Sequence, residues 1–228
     1  MSAALERPRA AMILAAGRGT RMRPLTDVVP KPLLRVRGQP LIERHVLALA
    51  QAGIERIVIN LAWLGSQIRD YLGDGSRYGA AITYSEEQPR ALETAGGIFR
   101  ALPYLLPGPF AVVNGDILTD FPFRELGVAK LHDVRLVLVP NPPHHACGDF
   151  GLQGGLAVAQ SDDPAQDRYT FAGIATYRAS FFADCADGAF PLKPLLLRSI
   201  GARRCAAQVY TGQWEDVGTP ERLQALNI

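Results

Sequence analysis

The sequence predicts an α/β fold: one domain with a mostly parallel sheet covered by helices on both faces. Three observations carry that expectation. An apolar run over residues 11–16 reads as a buried strand and breaks into Gly17 and Gly19. Short β-branched runs then alternate with helix-spaced apolar residues through the first half, the pattern of strand–helix–strand units. The chain has 228 residues and is 48% hydrophobic, enough for one sizeable core.

Residues 1–9 read as a loose tail, because Arg7 and Arg9 lead straight into the first short strand. Ile42, Val46, Leu49 and Ala50 recur at helical spacing, with Gly53 as the stop. Residues 57–59 read as a strand. Residues 64–72 read as a helix ended by Gly73-Asp74-Gly75. Further strands are expected over residues 82–84 and 110–113. The second half is less regular. Its strands are expected over residues 136–139, ended by Pro140-Asn141-Pro142-Pro143, and over 156–158 and 171–177. Helices are expected over residues 195–200 and from near Pro220, and residues 162–167 read as a polar turn. No internal repeat or low-complexity tract interrupts this order.

Composition narrows the function classes. Formal net charge is +2 and no Lys/Arg-rich block exists, which argues against a nucleic-acid partner. Cys147, Cys185 and Cys205 are odd in number and form no CxxC pair, so neither a disulfide framework nor a zinc site is expected. A reducing cytoplasm fits. No secretory signal or membrane-spanning segment is read.

The expected chemistry starts at the end of the first strand. In parallel sheets ligands sit beyond the carboxyl ends of strands. Gly17 and Gly19 let the backbone turn tightly and bring its N–H groups close to an anion, while Arg21 and Lys31 add positive charge. A dinucleotide-binding loop would need a third glycine where Met22 stands, and no Gly-Lys-Ser/Thr string is present. The glycines alone fit an ordinary turn equally well.

The full string Leu14-Ala15-Ala16-Gly17-Arg18-Gly19-Thr20-Arg21-Met22-Arg23-Pro24-Leu25-Thr26, followed by Lys31-Pro32, is far more specific. It resembles the signature of the sugar-1-phosphate nucleotidylyltransferases, which turn a nucleoside triphosphate and a sugar phosphate into a nucleotide-sugar and pyrophosphate. The resemblance implies a Rossmann-like sheet of the nucleotide-diphospho-sugar transferase type. It also implies a nucleotide-binding half over residues 10–118 and a sugar-binding half over residues 119–228. Leu14, Ala15, Ala16, Gly17, Gly19, Thr20, Arg21 and Lys31 would then hold the nucleotide, with Arg21 and Lys31 also catalytic.

Nucleotidyl transfer needs its triphosphate held and its charge offset; the attacking phosphate is already an anion, so no general base is required. Asp116, in Asn114-Gly115-Asp116, puts a carboxylate and the Asn114 amide at a strand end; Asp216 lies in Glu215-Asp216-Val217-Gly218. Each alone also fits a turn. The resemblance makes them a metal pair for Mg2+, with Asp116 catalytic as well, and with phosphate oxygens completing the coordination.

Small residues in Glu93-Thr94-Ala95-Gly96-Gly97 allow a flat base to approach, or mark a helix start capped by Thr94. The resembled family borders its base and ribose here, so Glu93, Thr94 and Gly96 are nucleotide candidates. One carboxylate of Ser85-Glu86-Glu87 would face the nucleoside, with Glu86 the candidate. The segments Gly148-Asp149-Phe150-Gly151 and Phe171-Ala172-Gly173-Ile174 resemble that family's sugar-side segments, which makes Asp149, Gly151 and Gly173 sugar candidates, each also compatible with a plain turn; Lys193 either pairs with the sugar phosphate or is simply solvated. His144 and His145 lack a third ligand and are given a structural or substrate-edge role.

Further strings, among them Gly38-Gln39-Pro40-Leu41-Ile42-Glu43, Asn141-Pro142-Pro143-His144-His145 and Gly148-Asp149-Phe150, resemble a narrower uridylyl-transferring branch. That likeness runs over residues 11–223. It implies UTP and N-acetylmuramic acid 1-phosphate as substrates, magnesium as cofactor and a place in bacterial cell-wall recycling, as a monomer or small homo-oligomer. Ala95 stands where that branch has glycine, and Pro191-Leu192-Lys193 departs from its Phe-Lys-Leu. With residue 228 following soon after Asp216, no second activity is expected. The alternatives are transfer to glucose, mannose or N-acetylglucosamine 1-phosphate, or a non-catalytic nucleotide-sugar-binding regulator.

Overall fold

A computed structural model describes residues 4–87, 91–159 and 168–228, so the polar turn expected over residues 162–167 lies outside the described residues. The main sheet has nine strands. In chain order these are β1 (Ala10–Leu14), β2 (Arg56–Leu61), β3 (Ala81–Glu86), β4 (Phe110–Asn114), β5 (Val134–Val139), β6 (Phe150–Gln153), β7 (Leu156–Val158), β8 (Arg168–Tyr177) and β9 (Cys205–Val209). Their order across the sheet is β5-β9-β7-β6-β8-β4-β1-β2-β3, with β5 also pairing β8. The helices are α1 (Leu25–Val28), α2 (Leu41–Gln51), α3 (Gly65–Leu72), α4 (Glu93–Leu105), α5 (Leu192–Gly201) and α6 (Pro220–Ala225).

Strands β1 to β4 are mutually parallel, as the alternating pattern predicted. The second half joins them largely antiparallel, beginning with β8 against β4, although β5 and β9 run parallel. The connection from β1 leads to β2 on one side, while β4 lies on the other side of β1. The chain therefore reverses its direction of travel across the sheet between β1 and β4. Such a switch point opens a crevice beyond the carboxyl ends of the two strands.

Both faces of the sheet are covered, which is why the central strands read as unbroken apolar runs. Ala11 and Ile13 of β1 pack with Ile42, Val46 and Leu49 of α2 and Ile68 of α3. Ala10 and Met12 point the other way, into Ile98, Ala101 and Leu105 of α4 and Leu196 of α5. A third cluster, Met22, Leu34, Leu41, Leu118 and Val217, packs the loops around the crevice. Each strand face is stabilised by roughly 25 cal/mol per Å² of apolar surface removed from water.

Three local expectations are corrected. Leu5–Glu6, placed in a loose tail, pairs antiparallel with Val128–Ala129, and Glu6 accepts from Arg178 at 2.8 Å. Strand β1 ends at Leu14, so Ala15 and Ala16 belong to the loop that follows. Thr94 does not cap its helix: the cap position is Leu92, without a side-chain bond, and the Ala95 and Gly96 N–H groups both donate to the Phe190 carbonyl at 3.2 Å.

Candidate active site

The glycine turn is built by hydrogen bonds from beneath and behind. Gly19 adopts φ +65°, and a Cβ there would come within 3.1 Å of Thr26 Cγ2 and 3.2 Å of Lys31 Cβ. Its carbonyl accepts from Thr26 Oγ1 at 2.8 Å and from the Met22 N–H at 2.9 Å. Gly17 has open space where a side chain would stand. Arg18 turns aside, its guanidinium 3.6 Å from the centre of the Trp63 ring and 3.4 Å from Asp27. Lys31 is 9% exposed, with its ammonium directed into the crevice against Asp116.

Beneath the turn runs a buried polar chain that sequence reasoning missed. The Ala15 N–H donates to Asn60 Oδ1 at 2.7 Å, Asn60 Nδ2 donates to Glu87 Oε1 at 2.6 Å, and the Leu92 N–H donates to Glu87 Oε2 at 2.8 Å. Asn60 and Glu87 are 4% and 3% exposed. Each buried donor and acceptor in this chain is matched, which such burial requires. Asn60 follows the β-branched run Ile57-Val58-Ile59, and Glu87 follows the end of β3 at Glu86. A polar residue at the carboxyl end of a parallel strand was the available signal.

The two candidate carboxylates are brought together by a small antiparallel ladder. Strand β4 turns at Gly115, whose N–H donates to the Leu14 carbonyl at 2.9 Å. Segment Ile117–Thr119 then pairs with Trp214–Asp216, setting Asp216 opposite Ile117, while the Val217 N–H donates to the Asp116 carbonyl at 2.9 Å. This register puts Asp116 and Asp216 on one cavity wall although they are far apart in sequence. Asp116 is ion-paired with Lys31; Asp216 is ion-paired with Arg222 and lies 2.7 Å from His144 Nε2, which is itself 2.9 Å from an Arg222 nitrogen.

Three adjoining cavities make up the crevice, and Asn114 lines all three. The first, about 300 Å³, is lined by Leu14, Ala15, Ala16, Gly17 and Gly19 on one side and by Lys31, Glu87, Glu93, Thr94 and Asp116 on the others. The second, about 350 Å³, brings Arg21, Asp116, His144, His145 and Asp216 together. The third, about 510 Å³, is walled by Asp149, Phe171, Pro191 and Lys193. Its apolar surface beside a few polar groups suits a small ligand.

Five predicted residues stand elsewhere. Thr20 is exposed on the Thr20–Met22 turn and lines none of these cavities. Glu86 is exposed and ion-paired with Arg69, whereas its neighbour Glu87 turns inward. Gly96 serves packing: a Cβ there would collide with the Gly188 carbonyl. Gly151 is buried in β6, paired with Val158 and Arg168. Gly173, at φ +72°, lies under the Asn114 side chain, which its missing Cβ makes room for. Asp149 does line the crevice, but its carboxylate already accepts from the Phe171 N–H at 2.9 Å and faces His145 Nε2 at 3.3 Å.

The donor set fits a hard divalent cation. Among the described residues no cluster of three or more His, Cys, Asp and Glu side chains could cage a metal alone. Two carboxylates on the wall of a cleft beside the glycine turn suit Mg2+, which keeps waters and takes its remaining oxygens from phosphate groups.

A tight glycine turn, an ammonium beside it and two carboxylates on one wall of a switch-point crevice are the parts that a protein binding a nucleotide for phosphoryl chemistry requires. Residues 10–152 match the family described as Nucleotidyl transferase, and the chain belongs to that family. It is 49% identical over 94% of its length, and 95% of the relative's, to a protein of Neisseria meningitidis serogroup B named N-acetylmuramate alpha-1-phosphate uridylyltransferase. A protein of the same name from Caulobacter vibrioides is 33% identical, over 94% of this chain and 93% of that one. In the same fold stands a Bacillus anthracis protein assigned as a glucose-1-phosphate thymidylyltransferase, at TM-score 0.82 and 22% identity, with 96% of this chain and 93% of that one covered.

Proposed function

We propose that this enzyme transfers the uridylyl group of UTP to N-acetylmuramic acid 1-phosphate, releasing pyrophosphate and forming UDP-N-acetylmuramic acid, as a step of cell-wall recycling. The observation that carries the substrate assignment is the 49% identity across nearly the whole of both chains to a protein bearing that activity in its name. The sugar-side wall supports it, because Asp149, Phe171 and Lys193 form a cavity contiguous with the phosphate turn through Asn114.

In this reading the uracil and ribose lie over Glu93 and Thr94, and the triphosphate follows the turn from Ala15 to Gly19. Arg21, on the turn's outer end, faces the β- and γ-phosphates. When bound, magnesium supplies positive charge against the phosphates, and Asp116 and Asp216 are the residues that would hold it. Lys31 is placed to offset charge as the sugar phosphate oxygen attacks the α-phosphorus. The bond that breaks joins that phosphorus to the pyrophosphate oxygen. Positioning and electrostatics carry this reaction, since the nucleophile brings no proton to remove. Arg222 and His144 keep the Asp216 carboxylate turned toward the cavity.

We assign the work to the cytoplasm, as a monomer or small homo-oligomer. All three cysteines are free, and no described helix is long and apolar enough to cross a membrane. The test is pyrophosphate release with Mg2+, crossing UTP, dTTP, CTP and GTP against N-acetylmuramic acid, N-acetylglucosamine, mannose and glucose 1-phosphates. The reading predicts kcat/KM highest, by two orders of magnitude or more, for UTP with N-acetylmuramic acid 1-phosphate. Preference for another pair would discard the substrate assignment.

A further inference from the structure

We propose that a cavity at the opposite end of the sheet is a second binding site, for a small molecule that carries phosphate groups. The cavity encloses about 750 Å³ and is lined by Arg7, Pro8, Arg9, residues 52–54, residues 107–109, Phe123, Arg124 and Leu126. Of these, residues 7–9, 52–54 and 107–109 lead into the amino ends of β1, β2 and β4. The five residues of β1, at about 3.3 Å each, put its floor about 17 Å from the phosphate turn. One ligand cannot occupy both.

Its charge is unbalanced. Arg7, Arg9 and Arg124 are exposed, and among the described residues none of the three has an ion-pair or hydrogen-bond partner. The one acid on the lining, Glu6, is held by Arg178 at 2.8 Å. Elsewhere on this chain arginines are commonly matched, as Arg204 is with Asp133 at 2.5 Å. Three arginines without ion-pair partners line this cavity together with Pro8, Phe123 and Leu126. Such walls strengthen a charge interaction by displacing water. Guanidinium forks match phosphate oxygens two at a time. The volume suits a ligand larger than a single carboxylate.

The experiment is a titration of the full chain, labelled with 15N, with inorganic pyrophosphate, and separately with UDP. The Gly53 and Gly108 amides report this cavity; the Gly17 and Gly19 amides report the crevice. The proposal expects Gly53 and Gly108 to shift and saturate, and Arg7→Ala/Arg9→Ala/Arg124→Ala to erase those shifts while sparing any at Gly17 and Gly19. Arg124→Glu alone should weaken the distal shifts at least tenfold in apparent affinity, should the triple variant fold poorly. A response to pyrophosphate shows that phosphates suffice; a response to UDP alone shows that a nucleoside is required. Shifts confined to Gly17 and Gly19, or Gly53 and Gly108 shifts reproduced by sodium chloride at matched ionic strength, overturn the proposal. Activity plays no part in the readout, so the distal site and the substrate assignment stand or fall separately.

Discussion

Asn60 donates to Glu87 at 2.6 Å beneath the glycine turn, and the same Asn60 side chain accepts the Ala15 N–H at 2.7 Å. Two parallel strand ends and the first loop residue after β1 are thereby tied through one buried amide. Asn60→Ala would leave the Ala15 N–H and one oxygen of the buried Glu87 carboxylate without partners, while Leu92 N–H still serves the other oxygen, a loss of about 1–3 kcal/mol. Urea unfolding should show that loss, and the KM for the nucleotide should rise, because the turn loses its anchor. An unchanged KM would mean that the turn is held by Thr26 and Met22 alone.

Asp116→Asn keeps the shape of the side chain and removes its charge. Turnover should fall by about 10²–10³-fold or more, with the unfolding midpoint little changed. Chelation of divalent cations should abolish pyrophosphate release from the native protein, and added Mg2+ should restore it. Full activity in either case would remove Asp116 from the metal role.

Gly115 is held by close approach. A Cβ there would sit 2.6 Å from the Leu14 carbonyl oxygen, which also receives the Gly115 N–H. Gly115→Ala must part β1 from β4 at the point where they present the turn and Asp116. The expected result is about 1–3 kcal/mol of lost stability and a fall of up to about 10²-fold in kcat from the displaced carboxylate. Circular dichroism melts and steady-state rates would check both.

His45 ties stability to pH. It is 2% exposed, and its Nε2–H donates to the Ile117 carbonyl at 3.0 Å. Burial pushes its imidazole from 6.5 down to about 4, against the opposing pull of that carbonyl and of the nearby Asp116. The folded protein therefore stays unprotonated here while the unfolded chain takes up a proton. Stability should fall as pH drops from 6.5 toward 4, by about 2 kcal/mol at pH 5. His45→Gln keeps a donor and should flatten that slope between pH 7 and 5.

The turn, Asp116 and the alternation of strands were legible because each is local: an apolar run, a glycine break, a carboxylate at a strand end. Asp216 could be paired with Asp116 only by resemblance, since the ladder between Ile117–Thr119 and Trp214–Asp216 joins segments far apart in sequence. Glu86 and Glu87 illustrate the limit of reading by type. Alternation along β3 sends one to solvent and Arg69 and the next inward to Asn60, and a one-residue shift reverses them. Gly96 is a ligand candidate in the sequence because small residues permit close approach, and Gly173 because its segment resembles a sugar-side segment of the family. What approaches them is the Gly188 carbonyl and the Asn114 side chain, contacts that depend on tertiary packing. The Leu5–Glu6 strand is too short to leave any periodicity.

The most direct test of uridylyl transfer is a single-turnover reaction of enzyme, Mg2+ and N-acetylmuramic acid 1-phosphate with UTP labelled at either the α- or the γ-phosphorus. Attack at the α-phosphorus predicts that the α label appears wholly in UDP-N-acetylmuramic acid and the γ label wholly in pyrophosphate, in equal amounts. Release of the γ label as orthophosphate, its transfer to the sugar, or tight binding of UTP without transfer of either label would contradict it.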